Sequence, residues 1–345
     1  MRTKEDLRQM QALPLGAKIS MTKNRVREWV REYGEDGVYI SFSGGKDSTV
    51  LLHIVRSMYP DIEAVFVNTG LEYPEIQKFV KSFDNVTILR PEMRFDEVVK
   101  KYGYPLISKE VSGKIHEAKS CPNGYAAQSF DTNSPKIQRY GARFDLSRYK
   151  PLLEMPFKIS DDCCNVMKKA PAKKYEKKTG KKPFIATMAS ESGARLTIWE
   201  KYGCNAFDKK RPSSQPLSFW TEQDILQYIK QNNIPIASVY GQIEYEADPE
   251  QMRLEDFGFT ECGTERLATT GCDRTGCIFC AFGCHLDGDP SRFQRLKETH
   301  PRQYQYCIGG GEYIDGVWQP NKKGLGMGHV FDELNKIYGD GFIKY

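Results

Sequence analysis

Short apolar runs alternate with amphipathic segments in the first third of the chain. Three runs rich in β-branched and aromatic residues predict buried strands: Val38–Phe42, Ala64–Val67 and Val86–Leu89. Each run precedes a segment with helical spacing of its apolar residues: Thr49–Tyr59, Pro74–Phe83 and Phe95–Tyr102. Strands that alternate with helices in this way predict an α/β fold with a doubly wound, mainly parallel sheet. Such sheets bind ligands at the carboxyl ends of their strands.

The same patterns divide the chain into three parts. An apolar helix face that ends near Gly34 predicts a helical lead-in over residues 1–36. The α/β domain follows over residues 37–235, and it includes a helix whose predicted N-cap is Thr221. A smaller, cysteine-rich C-terminal module is predicted over residues 236–345.

Composition narrows the class of protein. The chain has 345 residues, a formal net charge of +5 and 10 cysteines. Its first residues are charged and no apolar run approaches the length of a membrane span, so we predict a cytoplasmic protein with no membrane partner. Thiols stay reduced in that compartment, where clustered cysteines indicate metal binding or reactivity rather than disulfides. The mild positive charge suits an anionic substrate and leaves nucleic acid open as a partner.

A glycine-rich loop joins the first predicted strand to its helix. The stretch Ser41–Thr49 reads SFSGGKDST. Its adjacent glycines allow a sharp turn and a close approach of backbone N–H groups to an anion. The lysine adds a positive charge, and the serines add hydroxyl donors. The loop therefore predicts a phosphate-binding site with a spacing unlike Walker A, and the alternative is a plain Gly-Gly turn.

This loop resembles the PP-loop of the ATP pyrophosphatase superfamily, whose signature is Ser-Gly-Gly-x-Asp-Ser. The resemblance implies cleavage of ATP between the α- and β-phosphates, which gives AMP and pyrophosphate. It also implies nucleotide contacts by the loop residues, which are Ser41, Ser43, Gly44, Gly45, Lys46, Asp47 and Ser48. Lys46 and Asp47 would act in catalysis by balancing phosphate charge and by shaping the loop around Mg²⁺.

The segment after the second predicted strand resembles a signature of the phosphoadenosine phosphosulfate (PAPS) reductase branch of that superfamily. It spans residues 66–75, and Asn68 stands where the family usually has aspartate. The resemblance implies that Thr69 and Gly70 contact the nucleotide. The alternative is that these two residues only turn the chain into the next helix.

A second block resembles the sulfonucleotide reductases of the same family. It begins with the adjacent Cys163 and Cys164, followed by Lys168, and continues to a Glu-Ser-x-x-Arg segment that ends at Arg195. In the iron–sulfur-containing members the cysteine pair ligates a 4Fe-4S cluster. The resemblance implies that Lys168 and Arg195 face the phosphates or the sulfate-like group of an adenylyl substrate, with Arg195 in the catalytic set.

The C-terminal module concentrates four cysteines in one short stretch: Cys272, Cys277, Cys280 and Cys284. Such spacing, which includes a Cys-x-x-Cys pair, lets thiolates converge on one metal centre. The four cysteines could complete a zinc or 4Fe-4S site by themselves. The family resemblance implies instead that Cys277 and Cys280 join Cys163 and Cys164, and this is the metal site that we predict.

A third motif resembles the nucleophilic-cysteine motif of the sulfonucleotide reductases. It is Glu261-Cys262-Gly263, and it precedes the Cys-x-x-Cys pair, whereas in the reductases it follows that pair in a C-terminal tail. Cys262 is therefore a candidate nucleophile on a match of three residues.

Together these motifs support one leading hypothesis and two alternatives. The leading hypothesis is ATP-dependent adenylylation of an acceptor for iron–sulfur-assisted sulfur transfer, because the resemblance to the superfamily implies ATP cleavage when the loop is intact, as it is here. It predicts ATP or an adenylyl sulfate, Mg²⁺ and a 4Fe-4S cluster as cofactors, with zinc as the alternative metal, and an unidentified sulfur donor and acceptor as partners. The first alternative is a sulfonucleotide reductase that releases sulfite. The second is a non-catalytic nucleotide-binding redox or partner protein.

Overall fold

The chain forms two compact units that interleave in sequence. The computed structural model describes residues 2–247 and 265–345. The first unit takes its described residues from 2–68, 72–89, 172–247 and 265–275. The second unit consists of residues 69–71, 90–171 and 276–345. Within the described ranges, no helix is both long enough and apolar enough to cross a membrane.

Short strands and helices alternate over most of the described chain. The strands are β1 (Val38–Ser41), β2 (Ala64–Val67), β3 (Val86–Leu89), β4 (Leu106–Ile107), β5 (Lys182–Ile185), β6 (Asn205–Ala206), β7 (Ser213–Ser214), β8 (Ile243–Ala247), β9 (Glu265–Thr269), β10 (Ala281–Phe282), β11 (Glu312–Ile314) and β12 (Val317–Gln319). The helices are α1 (Lys4–Gln11), α2 (Leu15–Tyr33), α3 (Lys46–Arg56), α4 (Pro74–Val80), α5 (Phe95–Tyr102), α6 (Lys109–Ser120), α7 (Pro135–Tyr140), α8 (Ala170–Thr179), α9 (Gly193–Tyr202), α10 (Glu222–Gln231), α11 (Arg292–Thr299), α12 (Pro301–Ile308) and α13 (Met327–Tyr338).

The first unit is built on a six-stranded sheet in the order β3-β2-β1-β5-β7-β6. Its strands are parallel except for the antiparallel pair β6 and β7. This sheet and its intervening helices confirm the predicted α/β fold. β2 and β3 lie on one side of β1 and β5 lies on the other, so the strand order switches next to β1. The loop after β1 therefore starts at the position where sheets of this kind bind ligands.

Local sequence determines most of the element bounds in this unit. β2 and β3 have the predicted bounds, as does α5 of the second unit, while β1 ends one residue earlier than predicted. The helix α3 begins at Lys46 rather than at Thr49, because Gly45 is extended and occupies the N-cap position. Val26 and Trp29 of α2 are fully buried, as their shared helix face predicted. The loop residues after Gly45 therefore belong to the first turn of α3.

A buried ion pair joins α2 to α10. Lys18 Nζ donates to the two carboxylate oxygens of Asp224 at 2.8 and 2.7 Å, and the Lys18 side chain is 3% exposed. Asp224 also caps α10 by accepting a hydrogen bond from the Thr221 N–H at 2.7 Å. The pair therefore connects two helices that are far apart in sequence.

Lys18→Met is expected to lower the free energy of unfolding by about 3 kcal/mol, because Asp224 would keep a buried charge with no cation beside it. A urea titration followed by circular dichroism measures this change. Adding Asp224→Asn should recover much of the loss, since the amide oxygen still caps α10 and carries no charge. Equal stability of the wild type and Lys18→Met would contradict the assigned role.

The second unit contains two small sheets and helices from both halves of the chain. β4 pairs in parallel with β10, and β11 forms an antiparallel hairpin with β12. Phe293 of α11 and Phe331 of α13 are fully buried, with ring centroids 4.9 Å apart. A π-helical turn, Asn165–Lys169, leads into α8 directly after the adjacent cysteines. Such turns occur frequently at functional sites because they change the direction of neighbouring side chains.

Candidate functional site

The loop between β1 and α3 is shaped by its two glycines. Gly44 has a φ of +74°, and a Cβ atom there would lie 2.7 Å from Val80 Cγ2 and 2.8 Å from Ile76 Cγ2. A side chain at this position would be strained and would clash. A Cβ atom at Gly45 would lie 3.3 Å from the nearest hydroxyl oxygens, which is also tight. The loop therefore requires glycine at position 44. At position 45 the lack of a side chain leaves the backbone N–H groups accessible.

Serine hydroxyl groups stabilise the turn of this loop. Ser48 Oγ accepts a hydrogen bond from the Ser43 N–H at 3.2 Å and donates to the Gly45 carbonyl oxygen at 2.9 Å. The Gly45 N–H donates to Ser43 Oγ at 3.3 Å. Ser41 is the last residue of β1 and is half-buried. Because these contacts lie within the loop, its turn forms without a ligand.

Lys46 places a buried ammonium group at the loop. Its Nζ lies 2.8 Å from the carbonyl oxygen of Asp273, 3.0 Å from Glu222 Oε1 and 3.8 Å from Asp47 Oδ1, and its side chain is 4% exposed. Burial alone would lower the pKa of Lys46, but the Asp47 and Glu222 carboxylates outweigh burial and raise it. The Lys46 N–H donates to the Tyr240 hydroxyl at 3.1 Å. The lysine is therefore charged and held at the start of α3.

Asp47 contributes a buried carboxylate oxygen next to this lysine. Its Oδ1 has no hydrogen bond among the described residues. Burial raises the pKa of Asp47, the Lys46 charge opposes that rise, and the Glu222 carboxylate adds to it. Two carboxylates that lie close together raise each other's pKa unless a cation lies between them. Asp47 and Glu222 thus offer the hard oxygen ligands that Mg²⁺ prefers.

Two arginines share one carboxylate close to the loop. Glu191 forms ion pairs with Arg195, four residues later, and with Arg274, whose Nη2 lies 3.3 Å from Glu191 Oε1. Glu191 also accepts a hydrogen bond from the Met188 N–H at 2.9 Å, which fixes its position. The charges of both guanidinium groups, like that of Lys46, lower the pKa of Asp47. The first unit therefore brings Lys46, Arg195 and Arg274 close enough to act on one carboxylate.

Sequence patterns did not identify all members of this region. The missed residues are Glu191, Glu222, Tyr240, Arg274 and Thr275, whose hydroxyl lies 2.6 Å from that of Tyr240. Glu191 had a local signal, because it stands one helical turn before Arg195. Arg274 and Thr275 precede the Cys-x-x-Cys pair directly in the sequence. Glu222 and Tyr240 had no such signal.

Thr69 and Gly70 belong to the second unit and form a turn there. Thr69 Oγ1 accepts a hydrogen bond from the Leu71 N–H at 3.2 Å, and Gly70 has a φ of +74°. The Leu71 carbonyl oxygen accepts a hydrogen bond from the Ile278 N–H at 2.8 Å. This geometry is the one expected if the two residues turn the chain, which was one of the two interpretations.

The predicted metal ligands line one cavity within the second unit. Its lining consists of Cys163, Cys164, Cys277 and Cys280 with Leu71, Phe95, Pro105, Met167 and Lys168. The two cysteine pairs come from segments that are far apart in sequence. The Cys280 N–H donates to the Cys277 carbonyl oxygen at 3.0 Å, which forms the tight turn of the Cys-x-x-Cys pair. Tertiary packing therefore collects four thiols around one largely apolar space.

Charges at this cavity favour a thiolate. A hydrogen bond from the Cys163 thiol lowers the pKa of Cys164 to about 6, although burial opposes the change, and Lys109, Lys168 and Lys169 lower it further. The same hydrogen bond, together with burial, raises the pKa of Cys163 well above its ordinary value. The thiolate is the metal-binding form of cysteine, and these contacts favour it at Cys164.

The four thiols are a donor set for either of two kinds of metal centre. Among the described residues, no group of three or more His, Cys, Asp or Glu side chains is placed to hold a single metal ion. Thiolates around one zinc ion each lie about 2.3 Å from it, whereas a 4Fe-4S cluster takes one thiolate at each of four corners. The cavity of about 20 Å³ has room for roughly one water molecule. Four thiols suit either kind of centre, and the cavity as it stands is too small for a 4Fe-4S cluster, so the thiols would have to move outward to hold one.

The remaining candidate cysteines lie elsewhere. Cys272 belongs to the first unit, and its thiol donates to the Arg274 carbonyl oxygen at 2.7 Å. Cys284 belongs to the second unit and is buried outside the cavity lining, where burial raises its pKa to about 12. Cys262, the candidate nucleophile, lies outside the described residues.

Comparisons with known proteins relate most of the chain to one family. The family model described as "Phosphoadenosine phosphosulfate reductase domain" matches residues 37–282. Sulfate adenylyltransferase subunit 2 of Shewanella oneidensis is 26% identical over 272 residues, which cover 72% of this chain and 77% of that protein. The same subunit of Aeromonas hydrophila is 26% identical over 225 residues, which cover 62% of this chain and only 63% of that protein.

Two further similarities are more limited. An uncharacterized protein of Methanocaldococcus jannaschii is 42% identical over 74 residues, which cover 20% of this chain and 15% of that protein. The crystal structure of PAPS reductase from Candida auris in a phosphate complex covers 76% of this chain and 96% of its own, with a TM-score of 0.37 and 14% identity.

Proposed function

This chain belongs to the phosphoadenosine phosphosulfate reductase family, and from that premise we propose that it cleaves ATP to AMP and pyrophosphate in order to adenylylate an acceptor. The observation that carries the proposal is the preformed loop with the buried Lys46 ammonium at its end. Arg195 and Arg274 add two guanidinium groups whose charges act on Asp47. A loop that only turned the chain would not need a buried ammonium group beside it.

The reaction moves negative charge toward the loop. An acceptor oxygen forms a bond to the α-phosphorus, while the bond from the α-phosphorus to the bridging oxygen breaks. The electron pair of the broken bond leaves with the pyrophosphate, so charge grows on the oxygens nearest the loop. Preorganised cations and N–H donors stabilise this charge more in the transition state than in the substrate. Lys46 and the two arginines are the cations that we assign to this task.

Binding of the nucleotide changes the partners of Lys46. Its ammonium donates a hydrogen bond to the Asp273 carbonyl oxygen and forms an ion pair with Glu222. Phosphate oxygens would replace these two acceptors. Asp47 and Glu222 would then be available to hold Mg²⁺, which supplies further neutralisation of the triphosphate. The buried Asp47 Oδ1, which has no hydrogen bond within the described residues, supports this assignment.

The relatives suggest an acceptor and a partner. Sulfate adenylyltransferase subunit 2 is, by its name, one subunit of an enzyme that transfers an adenylyl group to sulfate. For this chain, we propose sulfate or another oxyanion as the acceptor and a second protein subunit as the partner. The loop residues are all assigned to the nucleotide. Contacts to the acceptor would then come from the partner subunit.

The cysteine cavity supports a second component of the proposal. Cys163, Cys164, Cys277 and Cys280 would hold a 4Fe-4S cluster, as their shared cavity and the low pKa of Cys164 favour. Such a cluster supplies electrons or sulfide for sulfur chemistry. The protein's own contribution is the apolar lining, which limits water, and the positive charge of Lys168 and its neighbours, which stabilises bound thiolates.

ATP cleavage is the test of this function. The protein is purified without oxygen and incubated with ATP and Mg²⁺, with and without sulfate, and pyrophosphate, AMP and adenylyl sulfate are quantified. Pyrophosphate matched by an equal amount of adenylyl sulfate would support adenylyl transfer to sulfate, and pyrophosphate matched by AMP would support cleavage at the same bond with water as the acceptor. Release of phosphate and ADP would contradict it.

A reductase is the second candidate, because the matching family model carries that name. It predicts sulfite release from adenylyl sulfate or its 3′-phosphate in the presence of a thiol reductant, with no ATP cleavage. Binding of nucleotide without either product would favour the non-catalytic alternative. The three sets of products therefore separate the three functions.

Arg274→Ala is expected to weaken ATP binding about tenfold, because a charge-assisted contact to phosphate is lost. Equilibrium dialysis with radiolabelled ATP measures the dissociation constant. Arg211→Ala is the matched control, since Arg211 also pairs with a single carboxylate, that of Glu176. Equal dissociation constants for Arg274→Ala and the wild type would remove Arg274 from the site.

A further inference from the structure

Three arginine–aromatic pairs recur in a short surface segment of the second unit: Arg139-Tyr140, Arg143-Phe144 and Arg148-Tyr149. In each pair the guanidinium carbon lies near the ring that follows it, at 5.2, 5.9 and 6.0 Å from the ring centroid in that order. Such distances are within the range of cation–π contacts. The proposed adenylyl transfer uses none of these residues, so the repeat needs another explanation.

Turns of the backbone separate the pairs and present them to solvent. The first pair ends α7, and Gly141 follows with a φ of +85°. The other pairs lie on short 3₁₀ turns, Ala142–Phe144 and Ser147–Leu153. The Leu146 N–H donates to the Ser129 carbonyl oxygen at 2.7 Å, and Leu152 is fully buried. The backbone is therefore attached to the unit while the arginines stay exposed.

Tyr140 is the exposed aromatic ring of this segment, while Phe144 and Tyr149 are half-buried. Tyr140 is 48% exposed, and its ring centroid lies 6.0 Å from that of Phe144. Tyr149 lies 6.1 Å from Tyr338 of α13. Nearby Tyr125 is 58% exposed. Large rings that remain half in water add little to folding stability, and clusters of them mark interaction sites.

The segment carries a net positive charge. Residues 139–150 contain four arginines and lysines and one aspartate, Asp145. The Asp145 carboxylate accepts a hydrogen bond from the Ser147 N–H at 2.8 Å, so it serves the local turn. Within the part of the chain that the structure describes, none of the three guanidinium groups forms an ion pair with a carboxylate. They are therefore available for an anionic partner.

We propose that residues 139–150 bind single-stranded nucleic acid. The guanidinium groups contact phosphates, and the exposed Tyr140 ring stacks on a base, as in other surfaces that combine the two kinds of side chain. A duplex presents phosphates but hides the faces of its bases, so the ring favours a single strand. This inference is independent of ATP cleavage, because binding is measured without nucleotide.

Fluorescence anisotropy of the full chain with labelled oligonucleotides of about 15 residues tests the proposal. The probes are single-stranded DNA, single-stranded RNA and a DNA duplex of the same length. Tyr140→Ala should weaken single-strand binding about tenfold, whereas Tyr140→Phe should leave it unchanged. The triple variant Arg139→Ala, Arg143→Ala, Arg148→Ala should reduce the slope of log affinity against log salt by about 2.

A charge-matched control is provided by three exposed lysines of α8. Lys173→Ala, Lys177→Ala and Lys178→Ala together remove the same charge, and this variant should keep the wild-type affinity and preference. An equal loss in both triple variants would overturn the proposal in favour of non-specific charge. Tighter binding of the duplex than of the single strands, or an unchanged affinity of Tyr140→Ala, would also overturn it. Circular dichroism confirms that each variant is folded.

Discussion

Lys46→Met is expected to lower the rate of pyrophosphate release from ATP at least about 100-fold, the usual cost of removing one preorganised donor from an active site. The ammonium lies 3.0 Å from Glu222 and 3.8 Å from Asp47, and its side chain is 4% exposed. Methionine keeps a long apolar stem at this buried position but carries no charge. The leaving pyrophosphate would then lose its nearest cation. Initial rates at saturating ATP, measured by a coupled pyrophosphate assay, give the change in kcat.

Two controls separate chemistry from folding in this experiment. Lys173→Met removes a surface lysine of α8 and should keep the full rate. Lys46→Met leaves Asp47 and Glu222 without their cation, so thermal unfolding must show that the variant is folded at the assay temperature. Lys46→Arg retains the charge but not the shape, and an intermediate rate is expected. A folded Lys46→Met protein with the wild-type rate would exclude Lys46 from catalysis.

Cys277→Ser is expected to abolish the proposed iron–sulfur centre. The anaerobically purified wild type should contain about four iron atoms and four sulfide ions per chain, with a broad visible absorption band. Serine removes one of the four thiols that line the cavity, and an incompletely ligated cluster is lost during purification. Iron, acid-labile sulfide and the visible spectrum measure this effect without any assay of activity.

Other cysteine variants identify the ligand set. Cys121→Ser changes an exposed thiol and should leave the iron content unchanged. Cys163→Ser should lose the cluster as Cys277→Ser does, because the two thiols line the same cavity. If Cys284→Ser lost the cluster while Cys163→Ser kept it, the four cysteines of the C-terminal stretch would be the ligands. One zinc ion per chain in place of iron would exclude the cluster.

The two proposed sites could be predicted from sequence to different extents. The loop was predictable in detail because Gly44, Gly45 and Lys46 are consecutive, and the φ of Gly44 depends on its neighbours. The cysteine cavity was predictable only through a family resemblance. Spacing alone left the four cysteines of the C-terminal stretch as an equally valid set, and nothing local relates Cys163 to Cys277.

Other features of the loop region had weak sequence signals or none. Glu222 is a first-turn residue of α10, where an acidic side chain is explained by the helix dipole alone. Its contact with Lys46 could not be read from that pattern. The same is true of Tyr240, which lies in a short turn and accepts a hydrogen bond from the Lys46 N–H. Both residues are brought to the loop by segments that follow it by more than 150 positions.

By itself, the sequence determined the α/β class, the bounds of β2, β3 and α5, and the position of the glycine-rich loop between β1 and α3. These features depend on periodicity and backbone preference, which act between residues that are close along the chain. Only the tertiary structure decided which carboxylates surround Lys46, which arginines share Glu191 and which four thiols line one cavity. Those contacts join distant segments, whose meeting depends on how the core packs and leaves no periodic signal in the sequence.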